Sequence, residues 1–133
     1  MNLLTEPVDA DWELSSDESA SALARQAVRS ALMPVLSRRR LEDVVIATSE
    51  LVSNAVRHSG ARESGTVAVH VVADRGSLQV DVTDPGPGFD PSRLDDPASL
   101  AASGYGLRIV ERLADRWGVA SSSPTRVWFA LDL

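Results

Sequence analysis

Apolar residues recur along this chain at two different periods, and the switches between them divide it into helices and strands. After Asp17, the residues Ala20, Leu23, Ala24, Ala27, Val28, Ala31 and Leu32 fall at helical spacing, which predicts an amphipathic helix capped at Asp17 and stopped near Pro34. A second helix is predicted over about Arg38 to His58. Its stripe is Leu41, Val44, Val45, Thr48, Val52 and Ala55, and at about 100° per residue Glu50 and Asn54 fall on the opposite side. Trp12 and Leu14 on one side of residues 10–15 predict a short first strand. Val67, Val69 and Val71 then alternate with Ala68, His70 and Val72, and Leu78, Val80 and Val82 alternate with Gln79, Asp81 and Thr83. With the turn at 74–77 between them, these two runs read as a hairpin with one buried face. Residues 107–116 predict a third helix on the stripe Leu107, Val110, Leu113 and Ala114, and Val127, Phe129 and Leu131 predict a closing strand. Residues 89–103 keep no period and read as a loop.

Composition narrows the possibilities. A chain of 133 residues that is 44% hydrophobic makes one folded domain, residues 1–133, with no room for a second. The net charge of -6, from 13 basic and 19 acidic residues with no basic block, argues against nucleic acid and anionic membrane as partners. Every one of the 13 basic residues is arginine, which excludes the phosphate-loop lysine, the kinase lysine and Schiff-base chemistry. Cysteine is absent, and the 2 histidines and scattered acids lack zinc spacing. The first residues, MNLLTEPVDADWEL, lack the basic start and apolar core of a signal peptide, and no apolar run approaches the length of a membrane span. The expected location is the cytoplasm.

Three clusters carry the chemistry. In Glu50–Ser59, ELVSNAVRHS, the acid Glu50 and the amide Asn54 lie one helical turn apart on one face, and His58 extends the row. An acid beside an amide suits a proton transfer and a hydrated magnesium ion; the competing reading is a solvated helix face. Arg57 reads either as a solvated charge or as a phosphate contact, and His58 as a structural hydrogen-bonding residue. In Asp84–Gly88, DPGPG, each proline sets a turn and Gly86 and Gly88 supply the positive φ that follows, so a flat ring could approach the backbone. Asp84 would accept from the exocyclic amine of adenine, unless the segment is an ordinary turn after a strand. Gly104, Tyr105 and Gly106 precede the third helix, where free N–H groups and the helix dipole favour phosphate; a loop hinge is the alternative.

Taken in order, these clusters resemble the ATP-binding domain shared by gyrases, a chaperone family, histidine kinases and mismatch-repair ATPases, the Bergerat or GHKL fold. ELVSNAVRHS is similar to its N box, DPGPGFD to its first glycine box and GYGLRIV to its second, and the resemblance runs from about Trp12 to Leu131. It implies a two-layer α/β sandwich: a mixed, mainly antiparallel sheet with helices on one face. A free-standing domain of this size, with no phosphoacceptor segment before it and no transducer domain after it, resembles bacterial anti-sigma-factor serine kinases.

By that resemblance Glu50 would be the general base, Asn54 would hold Mg²⁺ against the phosphates of ATP, and Asp84 would read adenine. Gly86 and Gly88 would admit the ring, while Gly104, Tyr105, Gly106, Leu107 and Arg108 would wrap the phosphates. The implied activity is ATP-dependent serine/threonine kinase activity on an anti-sigma antagonist, with sequestration of a sigma factor. A homodimer through the open sheet face is also implied. Ala102 stands where sporulation-type members carry an arginine, with Arg57, Arg93 and Arg108 as possible substitutes. This departure keeps a second reading open, a nucleotide-responsive binding module without phosphotransfer. An ATP-independent interaction protein is disfavoured by the retained Glu50 and Asn54.

Overall fold

The computed structural model describes residues 7–58, 65–84, 105–120 and 125–133. Their elements in chain order are β1 (Val8–Ser15), α1 (Ala20–Leu32), α2 (Arg38–His58), β2 (Thr66–Asp74), β3 (Ser77–Asp84), α3 (Tyr105–Leu113), β4 (Arg116–Ala120) and β5 (Thr125–Asp132). The strands form one sheet in the order β1-β2-β3-β5-β4, and all four pairings are antiparallel. With the helices packed on one face, this is the two-layer α/β sandwich that the sequence implies.

Strict alternation builds the helix-facing side. Register aligns Trp12, Val69, Val82, Val127 and Val119 in one row across the sheet, and Ala10, Val71, Val80, Phe129 and Trp117 in the next. The valines of β2 and β3 in these rows, with Phe129, are almost fully buried. A one-residue slip in any pairing would turn the apolar set to solvent, so burial itself specifies register. The rows are completed from above by Ala20, Ala24, Val28 and Leu32 of α1 and by the apolar residues of α2 and α3.

α1 starts two residues later than a cap at Asp17 predicts. Ser19 is the N-cap, and the Asp17 carboxylate instead accepts from the Ser19 N–H at 2.8 Å and from its hydroxyl at 2.5 Å. Those two bonds, the hydroxyl's first, hold the Asp17 carboxyl below its ordinary value. α2 spans the predicted residues, entered from Ser37, whose Oγ accepts from the Arg40 N–H at 3.3 Å. Its buried set is wider than one stripe, however. Ala47, Leu51 and Asn54 are buried along with Leu41, Val44, Val45, Thr48 and Val52. Asn54 therefore does not face away from the core: α2 lies against α1 on one flank, α3 on the other and the sheet beneath, and the flank under α3 takes in the amide.

The third helix also differs from its prediction. α3 begins at Tyr105 and ends at Leu113, because the Asp115 N–H leaves the helical ladder to donate to the Ala130 carbonyl at 2.9 Å. The strand β4 that follows has no counterpart among the predicted elements. A five-residue run with glycine at its centre carries too little alternation to be read. The glycine has a packing reason, since a Cβ at Gly118 would lie 2.9 Å from the ring of Trp128, which crosses β4 on the open face.

Among the described residues, Ser16, Thr48, Asn54 and Thr125 each bury a polar side-chain atom with no hydrogen-bond partner, and Thr48 lies deepest in the apolar layer. Thr48 is 0% exposed, and its Oγ1 has no hydrogen-bond partner among the described residues. An orphaned buried hydroxyl costs about 1–3 kcal/mol, whereas an isosteric methyl costs nothing comparable. Thr48→Val is thus expected to stabilise the fold by about 1 kcal/mol and to raise the thermal midpoint by about 3–5 °C. A midpoint equal to or below that of the parent in thermal unfolding would contradict the assignment.

Candidate functional site

The two ends of the sandwich are chemically different, and the geometry decides which end gathers the candidate residues. Near the start of α2, the Arg40 guanidinium donates to the Asp132 carbonyl at 2.9 Å, and Asp132 is paired with Ser77 at the start of β3. From Arg40 to Asn54 the helix rises about 21 Å, and from Ser77 to Asp84 the strand advances about 23 Å. Running out from a common anchor, α2 and β3 therefore bring Asn54 and Asp84 to the same pole. The register then adds Thr125, which is paired with Asp84 across β3 and β5.

Asp84 is in phase with Leu78, Val80 and Val82, so its carboxylate lies on the helix-facing side of the sheet and is only 4% exposed. A carboxylate buried there is costly unless it is hydrogen-bonded, and Asp84 does have an interaction within the chain. Thr125 is in phase with Val127, Phe129 and Leu131, is equally buried, and its Oγ1 has no partner among the described residues. Sequence reasoning passed over Thr125. Its signal was available in the same alternation, a polar residue on the apolar phase at the end of a strand.

On α2, Asn54 is 5% exposed and its amide Nδ2 has no partner among the described residues. Glu50, one turn earlier, is half-buried, while Arg57 is exposed. His58 closes the helix. On α3, Leu107 is buried and Arg108 is exposed; Tyr105 and Gly106 form the first residues of the helix, so Gly106 lies within it instead of before it. Gly86, Gly88, Gly104 and Ala102 lie outside the described residues, as do the side chains of His58 and Tyr105. A carboxylate, a hydroxyl and an amide, each buried at one end of the sandwich and two of them with hydrogen-bonding capacity unspent, form a polar floor in an otherwise apolar layer. Groups of this kind can hydrogen-bond a polar ligand at this pole.

Comparison with known proteins decides the family. Residues 14–131 match the histidine kinase-like ATPase domain. The chain belongs to that family. Its relatives include the anti-sigma F factor of Clostridium acetobutylicum, 30% identical over 114 residues that cover 80% of this chain and 78% of the relative. Among solved structures, the RsbU and RsbW domains of a Mycobacterium tuberculosis protein superpose with a TM-score of 0.71 at 22% identity over 92% of this chain. The match takes in 32% of that longer chain. The mycobacterial sensor histidine kinase MprB superposes with a TM-score of 0.54 at 21% identity, over 96% of both chains. These structural likenesses establish the fold of a histidine kinase-like ATPase domain, and membership of the family implies ATP binding.

The floor residues fit the nucleotide. Asp84 can accept from the adenine amine and Thr125 can donate or accept beside it, while the Asn54 amide has an N–H pair without a partner among the described residues for a phosphate oxygen and a carbonyl oxygen of the type that ligates a metal or accepts from its water. Among the described residues no cluster of three or more acid, histidine or cysteine side chains could hold a metal ion. A magnesium ion would thus depend on Asn54 and the phosphates themselves. No helix among the described residues is long and apolar enough to cross a membrane.

If Asp84 reads adenine, Asp84→Asn should weaken ATP binding by about 10-fold or more, since a hydrogen bond to a charged group contributes roughly 1.5–3 kcal/mol. Calorimetric titration checks this, and equal affinity in both proteins would remove the assignment.

Proposed function

We propose that this protein is an ATP-dependent protein serine kinase of the anti-sigma-factor type, which phosphorylates an antagonist protein and sequesters a sigma factor until the antagonist releases it. The reading is carried by the pairing of Glu50 with Asn54 on the last turns of α2, at the pole that holds Asp84 and Thr125. The likeness to an anti-sigma F factor over most of both chains supports it.

In this reading each group has a separate task. Asp84 and Thr125 bind the base, Asn54 would hold Mg²⁺ at the phosphates, and Leu107 and Arg108 at the start of α3 line the phosphate side. Bound ATP supplies the phosphoryl group, and the metal neutralises phosphate charge. Glu50, half-buried beside Asn54, is left to orient an incoming serine hydroxyl and accept its proton. Phosphoryl transfer depends mainly on positioning and charge neutralisation, and the described residues supply both without a lysine. Ala102 in place of an arginine supports the second reading, a nucleotide-responsive binding module without transfer.

The two readings separate on one residue. Glu50→Ala should cut phosphoryl transfer to the antagonist by about 10²–10⁴-fold while leaving ATP binding in place. A parent protein that binds Mg-ATP and its antagonist, yet transfers no phosphate, would favour the binding module.

The partner surface includes a second copy of the chain. Across the open sheet face, Asp9, Asp11 and Glu13 line the β1 side, while Arg116 and Arg126 stand on β4 and β5. Val72, 37% exposed, and Trp128, packed over Gly118, lie between them. Within each copy Arg126 pairs with Asp81 at 3.1 Å and Arg116 with Asp132 at 2.9 Å, so a two-fold axis along the strands would set the apolar Val72 and Trp128 of this face, not net charge, against a second copy. Sedimentation at micromolar concentration should therefore give a species of twice 14.2 kDa; a monomer would exclude this dimer.

A further inference from the structure

The flank of α2 away from α3 holds a polar network that none of the nucleotide contacts uses. Ser49 and Ser53 lie one turn apart on α2, and Ser21 and Arg25 one turn apart on α1. The Ser21 and Ser49 hydroxyl oxygens are 2.7 Å apart, and the Ser21 hydroxyl also lies 3.3 Å from the Ser49 carbonyl. The Arg25 guanidinium donates to Ser49 Oγ at 2.9 Å and to Ser21 Oγ at 3.2 Å, and the Ser53 hydroxyl donates to Ser21 Oγ at 3.2 Å.

The donors and acceptors in this network close on one arrangement. A hydroxyl has one proton to give and two lone pairs to fill. Ser21 accepts from Arg25 and from Ser53, so its own proton is left for Ser49. Arg25, which can only donate, fixes the direction of the chain of bonds. Every link except the Arg25–Ser21 bond within α1 joins α1 to the single turn of α2 that runs from Ser49 to Ser53. Glu50 follows Ser49 and Asn54 follows Ser53, so each candidate site residue is set about 100° around the helix from a hydroxyl held by α1. An apolar contact between the helices would tolerate a small rotation of α2; directional bonds from Arg25 and Ser21 do not.

We propose that Ser21 and Arg25 are positioning residues for the nucleotide site, fixing the rotation of α2 that aims Asn54 at the metal-bound phosphates and Glu50 at the acceptor. The inference rests on the role given to Asn54 under the proposed function. Neither residue touches the ligand. They act through Ser49 and Ser53, as outer groups orient a metal ligand, where loss of the orienting partner costs about 10-fold or more in metal-dependent affinity. The seam is open to solvent at one end, where Ser21 and Ser53 line a cavity of about 280 Å³ together with Asp17, Glu18, Val56 and Arg57. Loss of a hydroxyl there can be filled by water, which keeps the fold intact and makes the positioning effect measurable on its own.

The test compares the parent with Ser21→Ala and Arg25→Ala by calorimetry, using ATP with Mg²⁺ and ATP with EDTA, together with thermal unfolding. In both variants the affinity for Mg-ATP should fall about 10-fold, while affinity in EDTA, set by Asp84 and Thr125, should change by less than about twofold and the midpoint by only a few degrees. Ser21→Thr, which keeps the hydroxyl, should restore Mg-ATP affinity. Equal losses with and without Mg²⁺, or no loss at all, would overturn the proposal and leave the seam as helix packing alone. A parent protein that binds no ATP under either condition would overturn the nucleotide reading itself, and the proposal with it.

Discussion

Everything in this protein depends on the burial of α2 on three sides. The helix lies across the valine rows of the sheet, between α1 and α3, and only that placement can bring a polar residue of its last turns into the core layer. Its N-terminal end is tied to the far end of β5 by Arg40 and Asp132, and it is bound to α1 by the Arg29–Glu42 ion pair. Surface pairs of this kind contribute little stability, being screened by solvent. Their role is geometric, since the apolar contacts that hold the helix down leave its azimuth and its register along the sheet less sharply defined.

The same placement explains why stability and function conflict here. Asn54, Thr125 and Thr48 are buried with hydrogen-bonding groups unspent, each at a cost that an apolar residue would avoid. At Asn54 and Thr125 the cost coincides with the pole where Asp84 is buried, and a ligand would recover it. Thr48 sits nearer the middle of α2 among apolar neighbours and has no such compensation in sight, which is why it is the position where relief is expected to be free of functional loss.

Much of the architecture was legible in the sequence because the apolar pattern and the fold share their periods. The valine alternation of 67–82 gave the central hairpin, and α2 could be bounded approximately because its stripe is long and both ends carry polar punctuation. The misses have physical reasons. β4 is short and glycine-centred, so its pairing comes from β5 and not from any local preference. Asn54 was placed on the outer side because one stripe was assumed, whereas α3 creates a second buried flank that no local period reveals. For the candidate site, Glu50, Asn54 and Asp84 could be named from residue type and spacing, but Thr125 required the register of β5 against β3, and the network of Ser21, Arg25, Ser49 and Ser53 joins residues 24 to 32 positions apart across the two helices.

The nucleotide cleft proposed at one pole would be floored by Asp84, Thr125 and Asn54. Backbone amide chemical shifts recorded with and without Mg-ATP test it most directly. The changes are expected to concentrate at 50–58, at the end of β3, at the first turn of α3 and at the start of β5, with β1 and the Asp74–Ser77 end of the hairpin silent. Changes confined to the open sheet face or to the Arg38–Arg40 end of α2, or no response at millimolar nucleotide, would contradict it.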